Sequence, residues 1–138
     1  MRIVLDTNVI LAAFASRGLC AELFEVCLSS HTIILSEYIL SEMRKALMNK
    51  IKLPLDTVQA IIAYLKDTSE LVLPETLDIS VCRDKSDIAI IGTALRGNAG
   101  FIITGDEDLL SLKKYRGIKI INPREYWTIL KQKTRSFR

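Results

Sequence analysis

The chain has 138 residues, 49% of them hydrophobic and 25% charged, which describes one compact domain and excludes both a disordered tail and a two-domain enzyme. Its 19 Lys and Arg against 16 Asp and Glu leave a formal net charge of only +3, so any nucleic-acid role rests on local patches rather than on a basic bulk. One histidine, His31, excludes most Ser-His-Asp and Cys-His mechanisms and every multi-histidine zinc site, and leaves the chemistry to carboxylates.

In chain order, Ile3-Val4-Leu5 predicts a strand buried on both faces, with Asp6 at its carboxyl end. Val9 to Phe14 reads as a short buried helix, and Leu19, Leu23, Val26 and Cys27 predict a second one opened by Gly18 and ending near Ser29-Ser30. Thr32 to Leu35 is the next strand. Ser36 is placed to cap a helix whose inner face is Ile39, Leu40, Met43, Ala46 and Leu47, with Glu42 beside that stripe. Pro54 starts a helix with Val58, Ile61, Ile62 and Leu65 inward; Leu71 to Leu73 reads as a strand stopped by Pro74, and residues 74–83 as a connection.

Ser86 to Leu95 predicts a buried helix ending near Gly97-Asn98, and Phe101 to Ile103 a fourth strand that turns out through Thr104-Gly105-Asp106. Asp108 to Lys114 reads as a short helix, Ile118 to Ile121 as a strand, and Asn122-Pro123 as the cap of a last helix through Leu130. Residues 1–130 then form the domain and residues 131–138 a basic, frayed tail. Alternating strands and helices argue for a three-layer α/β/α fold around a central, mostly parallel sheet of about five strands. No apolar run reaches the length of a membrane span and no targeting segment is visible. Cys20, Cys27 and Cys82 are odd in number with neither disulfide nor zinc-finger spacing, which fits a reduced, cytoplasmic setting.

In an open parallel sheet, ligands bind outside the carboxyl ends of the strands. Asp6 and Asp106 fall there, while Glu42, Asp84 and Asp87 lie on segments that can aim at the same edge. Crowded carboxylates repel and raise one another's pKa unless a cation neutralises them, so the group predicts a divalent metal. Oxygen ligands without histidine or thiolate suit Mg²⁺ or Mn²⁺, and such an ion can polarise a phosphodiester and lower the pKa of an attacking water.

Ile3 to Val9, Ser36 to Leu47 with Glu42, Arg83 to Ala89, and Ile103 to Leu109 together resemble the PIN domain, closest to small prokaryotic members such as VapC-type toxin ribonucleases. The resemblance spans nearly the whole chain and implies a metal-dependent endoribonuclease acting on RNA, commonly a homodimer, with an antitoxin protein as a candidate partner. It implies that Asp6, Glu42, Asp87 and Asp106 are the catalytic, metal-holding carboxylates, and Asp84 matches an accessory acidic position, although Lys85 stands where relatives carry proline. Thr7, Asn8 and Thr104 match supporting polar positions.

Each residue also has a plainer reading. Asp6 and Asp106 can cap helices, Asp84 and Asp87 can be an N-cap with its acidic partner, and Glu42 can pair with Lys45 one helical turn on. His31 reads as an exposed loop residue, the cysteines as core or interface, and Tyr126 and Trp127 as anchors of the last helix. Lys113, Lys114 and Arg116, with Lys119 nearby, can grip RNA phosphates or be a solvated surface, and the same holds for the basic tail. Dimerisation can use the apolar helices around Leu19 to Leu28 or Val58 to Leu65. A dehalogenase-like phosphatase is disfavoured because Asn8 stands where that family needs a second aspartate. A catalytically silent PIN-like binding module is the alternative from another class. If four carboxylates gather around metal, the remaining surface is more basic than +3 suggests.

Overall fold

The computed structural model describes residues 1–78 and 85–136, with side chains through residue 132. Cys82, Arg83 and Asp84, the last stretch of the expected connection, and the side chains of Lys133, Arg135 and Arg138 lie outside the described residues. The elements are β1 (Arg2–Leu5), α1 (Thr7–Ala15), α2 (Leu19–Ser30), β2 (Thr32–Leu35), α3 (Glu37–Asn49), α4 (Leu55–Thr68) and β3 (Glu70–Leu71). They continue with α5 (Lys85–Arg96), β4 (Phe101–Ile103), α6 (Glu107–Leu110), β5 (Lys114–Tyr115), β6 (Ile118–Ile121) and α7 (Pro123–Ser136).

Among the described residues six strands form one sheet in the order β3-β2-β1-β4-β6-β5. All pairings are parallel except that of β5 with β6. Side chains of consecutive strand residues point to opposite faces, so the complete burial of Ile3, Val4 and Leu5 requires cover on both sides of the sheet. The fold is accordingly a three-layer α/β/α arrangement around a mostly parallel sheet, and no described helix is long and apolar enough to cross a membrane.

Four sequence expectations need correction. The strand expected at Leu71 to Leu73 is Glu70–Leu71, where Val72 donates its amide to Leu35 and the chain then leaves the sheet. The helix expected over Asp108 to Lys114 stops at Leu110, and Lys114–Tyr115 folds back on Ile118–Lys119 as a sixth strand. Arg116 and Gly117 between them have φ of 46° and 85°, the left-handed pair that a tight two-residue hairpin needs. The last helix continues from Leu130 to Ser136, since the chain there holds neither a glycine nor a proline to stop it.

His31, expected to be exposed, is half-buried, with Nδ1 3.1 Å from the Met1 amino group and its ring edge-on to Tyr126. Tyr126 is fully buried and also meets Phe101 edge-on at 5.5 Å, which anchors α7 to the sheet. Cys27 is a core residue whose thiol burial pushes up to about 12, so it is inert near neutral pH.

The start of α3 matters for the site because this helix lines it. Ser36 is fully buried, accepts from the Ile39 amide at 3.4 Å and lies 3.0 Å from the Thr93 hydroxyl of α5. Replacing Ser36 with Ala removes the cap and leaves the Thr93 hydroxyl one partner short. The expected loss is about 1–2 kcal/mol in urea unfolding, with Ser36→Thr retaining part of it.

Candidate metal centre

Because β1 and β4 are parallel neighbours with Leu5 opposite Ile103, their next residues leave the same edge side by side. Asp6 donates its amide to the Ile103 carbonyl at 2.9 Å, and Thr104 donates its amide to the Ile121 carbonyl at 3.0 Å. The Thr104 hydroxyl is fully buried; it donates to Asp6 Oδ2 at 2.7 Å and accepts from the Asp106 amide at 3.0 Å. One hydroxyl thus fixes the Asp6 carboxylate and the backbone that carries Asp106.

Asp6 stands at the N-cap position of α1, yet its side chain makes no capping hydrogen bond. It is only 6% exposed, and burial pushes its carboxyl above the usual value of 3.8, with Asp106 adding repulsion against the opposing help of Thr104 and the Thr7 backbone. Asp106 Oδ1 caps α6 by accepting from the Asp108 amide at 2.8 Å, and the residue also lines the acidic cleft. Asp87, in the first turn of α5, is 3% exposed and lines the cleft too.

The cleft has a volume of about 310 Å³, and its walls include all four expected carboxylates, Asp6, Glu42, Asp87 and Asp106, together with Thr7 and Asn8. The tightest carboxylate group among the described residues is narrower and partly different: it shares Asp87 and Asp106 with the cleft wall and adds Asp108 beside it. Asp87, Asp106 and Asp108 bring one oxygen each to within 4.8 Å of one another. Asp108 is not in the expected set because it reads as the start of a helix; the spacing of Asp106 and Asp108, two positions apart just after a strand end, is the sequence signal that points to it. Glu42 lies outside this triad and makes the i,i+3 pair with Lys45, at 3.8 Å. The hydroxyls of Tyr38 and Ser86, 3.0 Å apart, tie α3 to α5 across the cleft.

Lys113, Lys114 and Arg116 are exposed around the β5–β6 hairpin and do not line the cleft; Arg116 instead lies over the Tyr115 ring at 5.4 Å. The cations that do line it are Lys45 and Lys50 of the α3 end. The donor set fits a hard divalent cation. It consists of carboxylate oxygens with no histidine or thiolate, and a 4.8 Å spread is within the span of a single coordination sphere.

A sequence profile described as the PIN domain matches residues 2–108. The uncharacterized protein MJ1680 of Methanocaldococcus jannaschii is 31% identical over 140 aligned positions, covering 91% of this chain and 89% of that protein. Among solved structures, the chain is similar to VapBC2 of Rickettsia felis, bound to a DNA fragment from the promoter, with 17% identity, a TM-score of 0.60, and coverage of 88% of this chain and 98% of the other. VapBC-1 of nontypeable Haemophilus influenzae gives 18% identity, a TM-score of 0.61 and coverage of 90% and 99%. DNA-bound VapBC of Salmonella typhimurium gives 17%, 0.58 and coverage of 89% and 98%.

Proposed function

The chain belongs to the PIN domain family, and on that premise we propose that it is a metal-dependent endoribonuclease that hydrolyses RNA phosphodiester bonds in the acidic cleft. The observation that carries the reading is the convergence of carboxylates from four separate segments on one edge of a parallel sheet. Asp87, Asp106 and Asp108 form the tight group, and Asp6 and Glu42 complete the wall around it.

When bound, Mg²⁺ or Mn²⁺ supplies positive charge to a phosphodiester and acidifies water. The chain's own residues provide the rest. Asp6, Glu42, Asp87, Asp106 and Asp108 would hold the cation, Thr104 keeps Asp6 and the Asp106 backbone in place, and Thr7 and Asn8 support the carboxylates from the same wall. Asp84 is a further acidic candidate. Lys113, Lys114 and Arg116 offer longer RNA a basic edge beyond the cleft.

The VapBC assemblies that the fold resembles support a biological setting as the toxin of a toxin–antitoxin pair, with an antitoxin as partner. A homodimer is tested by sedimentation of the purified chain. The nuclease reading predicts cleavage of single-stranded RNA with Mg²⁺ or Mn²⁺, its loss with chelator and its return on adding either ion. A folded protein that neither cuts with these ions nor binds Mn²⁺ is instead a silent binding module.

The reading also predicts a pH dependence. Burial raises the Asp6 pKa, and protons compete with the cation for the carboxylate, so metal affinity falls on acidification earlier than for an ordinary aspartate. Mn²⁺ titrations at decreasing pH should show this loss setting in at higher pH in the parent than in Asp6→Asn. Identical pH profiles in the two refute a role for Asp6 as ligand.

A further inference from the structure

Helix α3 shows two faces of different chemistry. Ile39, Leu40, Met43 and Leu47 are fully buried in the core, whereas Tyr38, Glu42, Lys45, Ala46 and Asn49 line the cleft and Lys50 extends the same wall. Those positions recur at three- and four-residue spacing, so they form one stripe about 16 Å long at 1.5 Å per residue.

Two cations on this wall have no structural task that accounts for them. Lys45 is 67% exposed and makes only the 3.8 Å pair with Glu42, a surface contact of small value. Lys50 is exposed and forms no ion pair among the described residues. A polyanion entering this cleft meets repulsion from Asp6, Glu42, Asp87 and Asp106, which fixed cations within a Debye length offset. The hairpin lysines are poorly placed for that. The sheet order puts β5 three strands from β1, roughly 14 Å at the usual strand spacing, on the side of β1 away from β2 and α3.

Resting on the ribonuclease reading, we infer that Lys45 and Lys50, with Asn49 between them, form a phosphate-binding subsite for single-stranded RNA on the α3 wall of the cleft. The phosphates flanking the cleaved bond lie along this stripe, and their charge is held there without regard to base identity. Asn49 adds a side-chain amide that can donate to a phosphate oxygen or a 2′-hydroxyl. Lys45 therefore alternates between Glu42 in the free protein and phosphate in the complex.

The test uses a labelled six-nucleotide single-stranded RNA, short enough to favour the cleft over the hairpin. Binding is followed by fluorescence anisotropy across a salt series, in the inactive Asp6→Asn background with Mg²⁺; cleavage is followed in the otherwise native chain. Lys45→Gln and Lys50→Gln should each lower the slope of log affinity against log salt by about 0.7. Together they should raise KM about tenfold while kcat falls less than twofold, with Mn²⁺ affinity within twofold of the parent. Lys45→Arg and Lys50→Arg should retain the slope, and Lys66→Gln, on α4 and away from the cleft, should match the parent. A double Gln variant with unchanged slope and KM, in a chain that cuts RNA, overturns the subsite alone. So does a slope lost in Lys113→Gln/Lys114→Gln/Arg116→Gln but kept in the α3 variants. A native chain that neither binds nor cuts RNA overturns the ribonuclease reading and the subsite with it.

Discussion

Asp6→Asn is expected to lower RNA cleavage by about 10²–10³-fold and, in the metal-free protein, to raise the unfolding temperature. The two effects share one cause. The carboxylate is almost fully buried, receives the Thr104 hydroxyl at 2.7 Å and faces repulsion from Asp106. On the metal-dependent reading proposed above its charge serves cation binding, and removing it deletes an electrostatic contribution of the size usually seen when one such group is lost from an active site.

In the folded state the Asp6 pKa lies above 3.8, so the carboxyl contributes stability that is fully present below that value and is lost as pH rises through the folded pKa. At neutral pH the ionised group is therefore a cost, and Asn, which can still accept from Thr104, removes it. The gain should be on the order of 1 kcal/mol, a few degrees in melting temperature. It should shrink as pH falls toward 3.8, and Mg²⁺ should stabilise the native protein more than the variant. A variant that melts lower at pH 7 in chelator, or one that retains full cleavage, contradicts the role assigned to Asp6.

Gly92→Ala is expected to cost about 2–4 kcal/mol, although alanine is the better helix former by roughly 1 kcal/mol. A Cβ on Gly92 would stand 2.4 Å from the Glu75 carbonyl oxygen and 3.1 Å from its amide nitrogen. That backbone is pinned there, since the Glu75 amide donates to the Gly92 carbonyl at 2.9 Å. The segment after β3 therefore cannot yield cheaply, and α5 must move instead, taking Asp87 and its place in the acidic triad with it. The variant should melt several degrees lower and bind Mn²⁺ more weakly, while Gly105→Ala, whose Cβ meets nothing within 4 Å, should melt like the parent. Equal melting of Gly92→Ala and the parent would show that the helix and the 75 segment are not in this contact.

The parts of the fold that were legible in the sequence are those where one local rule dominates. Thr32–Leu35, Phe101–Ile103 and Ile118–Ile121 are short segments dominated by isoleucine, with Thr32 and Lys119 their polar members, and their limits match the strands observed. Two-residue strands carry no period to read, which is why the sequence shows no β5 and places β3 one residue late at its start and two at its end. Leu109, Leu110 and Leu112 imitate a helical stripe, and Arg116-Gly117 is not among the commonest hairpin pairs, so a helix was expected where a short helix and a hairpin stand. In the site, Asp6 and Asp106 were legible from their place at strand ends. Asp108, Lys45 and Lys50 were not, because each has a sufficient local explanation as a first-turn acid, an ion-pair partner or a helix-end cation. Only the tertiary arrangement brings Asp108 beside Asp87 and Asp106 and sets Lys45 and Lys50 on the cleft wall.

Both borders of the sheet are closed by the same means: β3 at one edge and β5 at the other are two residues long, and each presents a charged residue, Glu70 and Lys114. Short, charged margins are poor templates for recruiting another strand. Association by extending the sheet from one molecule into the next is thereby discouraged, and so is a partner that would bind as an added strand. Any dimer or regulatory protein is left with the outer helical layers, where contact is made by side chains alone and partner choice can change without disturbing the hydrogen-bonded frame that carries the acidic cleft.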